Sequence, residues 1–360
     1  MKSRDGLLRN AAYLGLGIIS TIASTISDRT QNKAQWTRGK VVVITGGSRG
    51  LGLALAEEFG RRGAMLVLAA RNEVELAQAR KLLLDCGAVR SADHVLLVAA
   101  DLRKPEDATR LIDEASRRFG RVDVLINNAG IITVGPVENQ TLEQFHEVMD
   151  ANFFSGLHCT LAVLPQMLRR RQGSIANVTS IGGRIAVPHL LPYTASKFAA
   201  VGFSEGLGME LRSKGIRVTT ICPGLMRTGS HRNAYFTGDA SKEYRWFSMA
   251  ANTPGASSSA RSAARKIASG IAAGCAEITI TPQAFVAARF GNLSPELKRL
   301  AMMSVHMVLP DPMDGQNVPY RGEDVREREP FPASTFGSSA ARRYNQVSGF
   351  VEPQAEPHQA

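Results

Sequence analysis

From Lys40 onward, short apolar, β-branched runs alternate with longer amphipathic stretches, and this rhythm restricts the possible folds more than any other feature of the chain. The runs are VVVIT (41–45), AMLVLAA (64–70), HVLLVAAD (94–101), VDVLIN (122–127), GSIANVTS (173–180), IRVTTIC (216–222) and AEITITP (276–282). A strand covered on both faces is apolar along its whole length, whereas a half-exposed strand alternates. Most runs are followed by a helical stretch, so the pattern predicts repeated βαβ units. The expected fold class is α/β: a single doubly wound Rossmann domain with a parallel seven-stranded sheet, spanning residues 38–283.

The flanks obey other rules. SPELKRLAMMSVHMVL (294–309) opens on a Ser cap with Pro at the first helical position, which predicts a helix within a C-terminal extension over 284–310. Its apolar band is wide and rich in methionine. Beyond Pro310 the chain is rich in Pro, Ser and charge without a sustained period, and residues 311–360 are expected to form a poorly ordered tail. Residues 1–37 precede the first strand. Within them, 10–27 carry no charge and come after Lys2, Arg4 and Arg9. Asn10, Tyr13, Gly17, Ser20, Ser24 and Ser27 draw a polar stripe opposite Leu7, Ala11, Leu14, Ile18, Ile22 and Ile26. One side is too wet for a spanning helix; an amphipathic helix lying on a membrane, or docked on its own domain, fits this pattern.

The net charge of +11 is dispersed, and no Lys/Arg stripe with interleaved aromatics appears, which argues against a nucleic-acid partner. An anionic cofactor or a membrane surface accounts for the basicity equally well. Cys86, Cys159, Cys222 and Cys275 stand far apart, without Cys-x-x-Cys, so neither a zinc module nor a disulfide framework is expected and no metal is implied. They read as buried small apolar residues in a reducing, cytoplasmic setting.

The first run leads through Thr45-Gly46-Gly47-Ser48-Arg49-Gly50-Leu51-Gly52 into a helix. A glycine-rich turn between a strand and a helix N-terminus presents backbone N–H groups and the positive end of the helix dipole to a pyrophosphate. Glycine spacing alone also serves packing, but here the strand and the helix flank it as a dinucleotide site requires. The second run ends on Ala70, where an NAD site would carry an acid for the ribose 2′-hydroxyl. Arg71 comes next, and Arg49 stands inside the glycine turn, so two guanidiniums suit a 2′-phosphate and NADP(H) is the expected cofactor.

With Asp101-Leu102, Asn127-Asn128-Ala129-Gly130, Asn152, Ser180, Tyr193-x-x-x-Lys197 and Pro223-Gly224 succeeding that Thr-Gly-x-x-x-Gly-x-Gly turn in order, the chain resembles the single-domain branch of the short-chain dehydrogenase/reductase family. The resemblance covers about residues 38–283. It implies a catalytic tetrad of Asn152, Ser180, Tyr193 and Lys197. Tyr193 is then the general acid in reduction and the base in oxidation, Ser180 orients the substrate oxygen, and Asn152 supports a water in the proton relay. Lys197 holds the nicotinamide ribose. It further implies cofactor contacts from Thr45, Gly46, Ser48, Arg49, Gly50, Leu51, Gly52 and Arg71, from Asp101 and Leu102 near the adenine, from Asn128, Ala129 and Gly130, from Tyr193 and Lys197 themselves, and from Pro223, Gly224 and Thr228 near the carboxamide. Independently, Tyr193 and Lys197 lie four apart in a helical segment and share a face, and a neighbouring ammonium favours the phenolate. His189 reads as a wall of the pocket.

The substrate is less legible. Segment 182–192 is mainly apolar, and the lid at 225–250 carries Met226, Tyr235, Phe236, Tyr244, Trp246, Phe247 and Met249, which either wall a lipophilic ligand or fold the lid onto the domain. The expected function is an NADP(H)-dependent oxidoreductase interconverting a carbonyl and an alcohol on a lipid, steroid or retinoid-like molecule. A 3-oxoacyl-thioester ketoreductase and a non-catalytic NADP(H)-binding module are the alternatives. The resembled family also implies a homodimer or homotetramer.

Overall fold

A computed structural model describes residues 36–253, 257–290, 294–328 and 338–347. The N-terminal amphipathic segment therefore lies outside the described residues, apart from Trp36 and Thr37.

Seven strands form the main sheet: β1 (Val41–Thr45), β2 (Met65–Ala70), β3 (Val95–Ala99), β4 (Val124–Asn127), β5 (Gly173–Val178), β6 (Ile216–Cys222) and β7 (Glu277–Thr279). Their order is β7-β6-β5-β4-β1-β2-β3 and every pairing is parallel. Each strand falls inside one of the apolar runs. Strand β1 is buried along its whole length, and burial of each such side chain is worth roughly 1.5–3 kcal/mol. Its side chains alternate between two cores. Val42 and Ile44 meet α1 (Gly50–Arg61), α2 (Glu73–Asp85) and α8 (Ala260–Ala273); Val41 and Val43 meet α3 (Pro105–Phe119) and α5 (Ser155–Arg170). The chain runs from β1 outward to β3, then returns to β4 on the other side of β1. This reversal opens a crevice at the carboxyl ends of β1 and β4, where ligands of such sheets bind.

Helix α4 (Leu142–Met149) begins with a capping box, Thr141 and Gln144 each accepting from the other's backbone, and runs through a π-helical turn, Asp150–Phe154, into α5. The long helix α6 (Leu191–Leu211) carries the Tyr-x-x-x-Lys motif. Beyond β6, Tyr235–Phe236 pairs with Thr133–Val134 and leads to α7 (Ala240–Asn252). The C-terminal extension contains α9 (Pro282–Phe290) and α10 (Pro295–His306), and α10 buries none of its residues.

Contrary to the expectation of a poorly ordered tail, the described part of 311–360 is built onto the domain. Tyr320–Arg321 pairs antiparallel with Tyr235–Phe236, and α11 (Gly322–Arg328) and later α12 (Ser338–Arg343) come after it. Val325 is buried with Phe236, Tyr244 and Phe247, and Tyr344 is buried in the core under α1 and α8. These are isolated apolar residues filling separate niches, so no periodicity announces them. The cysteines divide as well: Cys159 and Cys222 are buried, whereas Cys86 and Cys275, just past the ends of α2 and α8, are exposed.

Candidate active site

The glycine turn is fastened to the end of β4. Thr45 Oγ1 accepts from the N–H groups of Asn128 and Ala129, both at 2.9 Å, while the Asn128 side-chain amide donates to the carbonyls of Thr45 (2.9 Å) and Gly46 (3.2 Å). Asn128 thus braces the turn. Gly46 and Gly50 have φ of +62° and +58°, conformations that side chains rarely tolerate. A Cβ on Gly52 would collide with the Gly46 carbonyl, so glycine there lets α1 approach the turn closely. Leu51 is buried in the core below. Arg49 occupies the N-cap of α1 without capping it through its side chain, and the first turn holds no acid. This helix end therefore offers amides and dipole to an anion.

An acid that the sequence pattern does not single out lies beside it. Glu75, on the first turn of α2, accepts from Ser48 Oγ (3.1 Å) and pairs with Arg49 (3.3 Å), whose guanidinium also donates to Asn233 (2.9 Å). Burial lowers the Arg49 pKa. Arg71, just past β2, is exposed. Asp101, expected near the adenine, has a local partner: Arg103 grips its carboxylate (2.6–3.1 Å), and that hydrogen bonding holds its pKa below the ordinary aspartate value. The backbone N–H of Asp101 donates to Asp107, and the Leu102 carbonyl lies 3.1 Å from His158 Nδ1.

The four tetrad residues converge from three parts of the fold: the π turn before α5, the segment past β5, and α6, which carries both Tyr193 and Lys197. Asn152 sits in the π turn, a distortion frequent at functional sites. Its Oδ1 accepts from Ile131 N–H (2.7 Å), and its Nδ2 donates to Ile131 O (3.0 Å) and to Ser196 Oγ (2.9 Å). A Cβ on Gly130 would stand 2.6 Å from Asn152 Oδ1 and 3.7 Å from Lys197 Nζ, so these two flank one glycine. Ser180, past β5, and Tyr193, on the first turn of α6, flank Gly182 in the same way, at 3.5 and 3.4 Å from such an atom. Ser196 joins the pairs: it accepts from Asn152 and donates to the Tyr193 carbonyl (2.7 Å). Its place directly before Lys197 is the one signal for it in the sequence.

Lys197 Nζ donates to the Val178 carbonyl (3.1 Å) and lies 5.6 Å from the centre of the Tyr193 ring. Burial pulls the ammonium down to about 8. Burial pushes the Tyr193 phenol above its ordinary value, and a hydrogen bond with Ser180 opposes this only in part. Desolvation of this partly buried ring outweighs the Ser180 hydrogen bond, so the resting group is a neutral phenol, the form that donates a proton.

Past β6, the Pro223 carbonyl accepts from Ile181 N–H (2.8 Å), and glycine at 224 is required because a Cβ would strike the Thr281 hydroxyl. Thr228 is buried, its hydroxyl accepting from Ser230 N–H. Of the lid aromatics, Phe236, Tyr244 and Phe247 are buried with Val134, Leu190 and Val325, so they fold the lid onto the domain; Tyr193, Val187 and Trp246 border this cluster. His189 is a buried structural residue: its Nδ1 lies 2.7 Å from a Glu243 carboxylate oxygen whose partner oxygen accepts from Trp246 Nε1. Among the described residues, no cluster of side chains could hold a metal.

A parallel sheet with its glycine turn, and a Ser-Tyr-Lys-Asn constellation at the carboxyl ends of its strands, define a dinucleotide-binding oxidoreductase class, and residues 40–236 match the description "short chain dehydrogenase". The chain belongs to that family, which implies NAD(P)(H) as cofactor. It is 36% identical over 228 residues to Dehydrogenase/reductase SDR family member 7B of Rattus norvegicus, covering 63% of this chain and 69% of that protein. To the Dehydrogenase/reductase SDR family protein 7-like of Anopheles gambiae it is 35% identical over 206 residues, 57% of this chain and 65% of the relative. To 11-beta-hydroxysteroid dehydrogenase 1A of Arabidopsis thaliana it is 35% identical over 202 residues, 56% of each chain. The matches thus span between half and somewhat over two thirds of these relatives. A short-chain dehydrogenase from Streptomyces avermitilis superposes with a TM-score of 0.63 at 26% identity, over 74% of this chain and 98% of that one.

Proposed function

We propose that the protein is an NADP(H)-dependent oxidoreductase that interconverts a carbonyl and an alcohol on a lipophilic small molecule. The observation that carries this reading is the convergence of Ser180, Tyr193, Lys197 and Asn152 on the crevice beside the glycine turn. The residues fit the cofactor. The N-terminus of α1 suits its pyrophosphate, Arg71 and Arg49 favour a 2′-phosphate where Ala70 leaves no acid, and Lys197 suits the ribose hydroxyls. Glu75 offsets part of the Arg49 charge, so Arg71 carries most of this preference.

When bound, the nicotinamide supplies or accepts the hydride. In reduction, the Ser180 hydroxyl orients the substrate oxygen and the neutral Tyr193 phenol donates its proton to it. Lys197 then stabilises the resulting phenolate, while Asn152 holds the backbone at Ile131 and links to Tyr193 through Ser196. The apolar residues Val187 and Leu190 next to Tyr193 support a lipophilic substrate, as does the steroid named for the Arabidopsis relative.

The test is NADPH and NADH titration of purified protein, then NADPH oxidation against a panel of hydrophobic ketones and aldehydes. Tyr193→Phe should lower turnover at least about 100-fold while leaving NADPH affinity unchanged, since only the transferable proton is lost. Retention of more than about a tenth of the wild-type rate would overturn the assignment of Tyr193. Tighter binding of NADH than of NADPH would overturn the reading of Arg71.

A further inference from the structure

The C-terminal segment 338–347 ends on the glycine turn. Its anchors are firm. Ala341 is buried against Gly229, Ser338 Oγ accepts from Arg232 (2.9 Å), Arg343 pairs with Glu57 (3.0 Å) and Tyr344 is buried beneath α1 and α8. Residues 344–346 carry the chain from these anchors into the site. The Tyr344 carbonyl accepts from Gly50 N–H at 2.8 Å, and Gly50 is the first residue of α1. Asn345, at φ +53°, donates its side-chain amide to the carbonyls of Ser48 (3.1 Å) and Glu75 (3.2 Å), bridging the turn after β1 to the helix after β2. Gln346 accepts through its backbone carbonyl (3.1 Å) and its side chain from Asn233, the residue that also holds Arg49. Its amide nitrogen lies over Gly50, where any Cβ would strike it.

We propose that residues 344–346 are an internal ligand of the nucleotide site, which the dinucleotide must displace. The proposal rests on the cofactor reading above. A neutral carbonyl satisfies the first amide of α1, and an amide side chain spans the two elements that would flank the adenosine. The segment and an anionic pyrophosphate cannot share Gly50 N–H. Phosphate is the stronger acceptor, because hydrogen bonds to an ionised group are roughly twice as strong as neutral ones. Binding therefore opens the segment, and the measured affinity is the intrinsic one reduced by the fraction of molecules already open. The covalent tether makes this competition independent of protein concentration.

The experiment compares full-length protein with the Asn345→Ala, Gln346→Ala double variant, which keeps Tyr344 and the other anchors. NADPH titration should give a Kd at least about fivefold lower in the double variant. Hydrogen exchange supplies a readout without nucleotide: the Gly50 amide should exchange faster in the variant. Adding NADPH to wild type should speed exchange across 344–346 and tryptic cleavage after Arg342 and Arg343. Equal or weaker NADPH binding by the variant, or greater protection of 344–346 with NADPH, would overturn the proposal. If both proteins fail to bind NADPH and NADH, the cofactor reading falls and this proposal with it, whereas equal binding by both overturns this proposal alone. Should the double variant not fold, Asn345→Ala gives the same readouts.

Discussion

The proton chemistry of the site turns on Lys197, whose buried ammonium donates to Val178 O and stands beside the Tyr193 ring. Burial places its pKa at about 8 and raises that of Tyr193. Below about pH 8 the lysine is charged and the tyrosine is a neutral phenol, both the forms that the proposed carbonyl reduction needs. Above it the ammonium is lost first. For reduction, kcat/KM for the cofactor, which reports the free enzyme, should fall about tenfold per pH unit above roughly pH 8. In Lys197→Arg the break should disappear whatever the absolute rate, because a guanidinium does not titrate in this range. A wild-type profile flat to about pH 9.5 would remove Lys197 as the titrating group. Tyr193 and Lys197 can be read as a pair from their spacing, but the balance of desolvation against charge cannot. It depends on how completely α6 and the segment before it enclose the ring.

At the scale of elements, the buried pair His189 and Glu243 ties the segment before α6 to α7, and so fixes the segment 225–250 relative to Tyr193. Glu243 accepts from both His189 and Trp246 in a site closed to water. Removing one partner of such a pair strands polar groups in a low dielectric, at a cost of about 3–5 kcal/mol. Glu243→Leu should therefore lower Tm by several degrees and raise KM for substrate more than for cofactor, as measured by calorimetry and initial rates. An unchanged Tm would show the pair to be solvated. The strands are legible in the sequence because each βαβ unit repeats one local pattern, and the tetrad because its spacings are short or fixed by strand ends. Glu75, Asn233 and Asn345 are not, because they meet across long sequence separations through single polar contacts. The docked tail escapes a sequence reading for a related reason: Val325, Ala341 and Tyr344 each fill a niche supplied by a distant part of the chain.

For the whole molecule, the open question is what covers α10. This helix buries none of its residues, and Leu297, Leu300, Met303, Met307 and Val308 are exposed on it and just past its end, with Lys298 and Arg299 between them. An apolar surface of this kind, edged by basic residues, suits an anionic lipid interface. No described helix is long and apolar enough to cross a membrane. We infer peripheral attachment, shared between α10 and the amphipathic pattern within residues 1–36. Its strength should come from buried apolar area together with about 1 kcal/mol for each basic residue held near an anionic surface. In flotation with vesicles containing phosphatidylserine, full-length protein should rise with the lipid, and addition of salt should reduce that fraction. Deleting residues 1–36 should shift most of the protein to the soluble fraction without changing NADPH affinity, since the sheet and glycine turn lie beyond the cut. Leu300→Asp with Val308→Asp in the truncated protein should remove the remainder, because a carboxylate on the helix and another just past its end oppose both apolar burial and the anionic surface. Full-length protein that stays wholly soluble would remove the lipid interface as the partner of α10 and of residues 1–36.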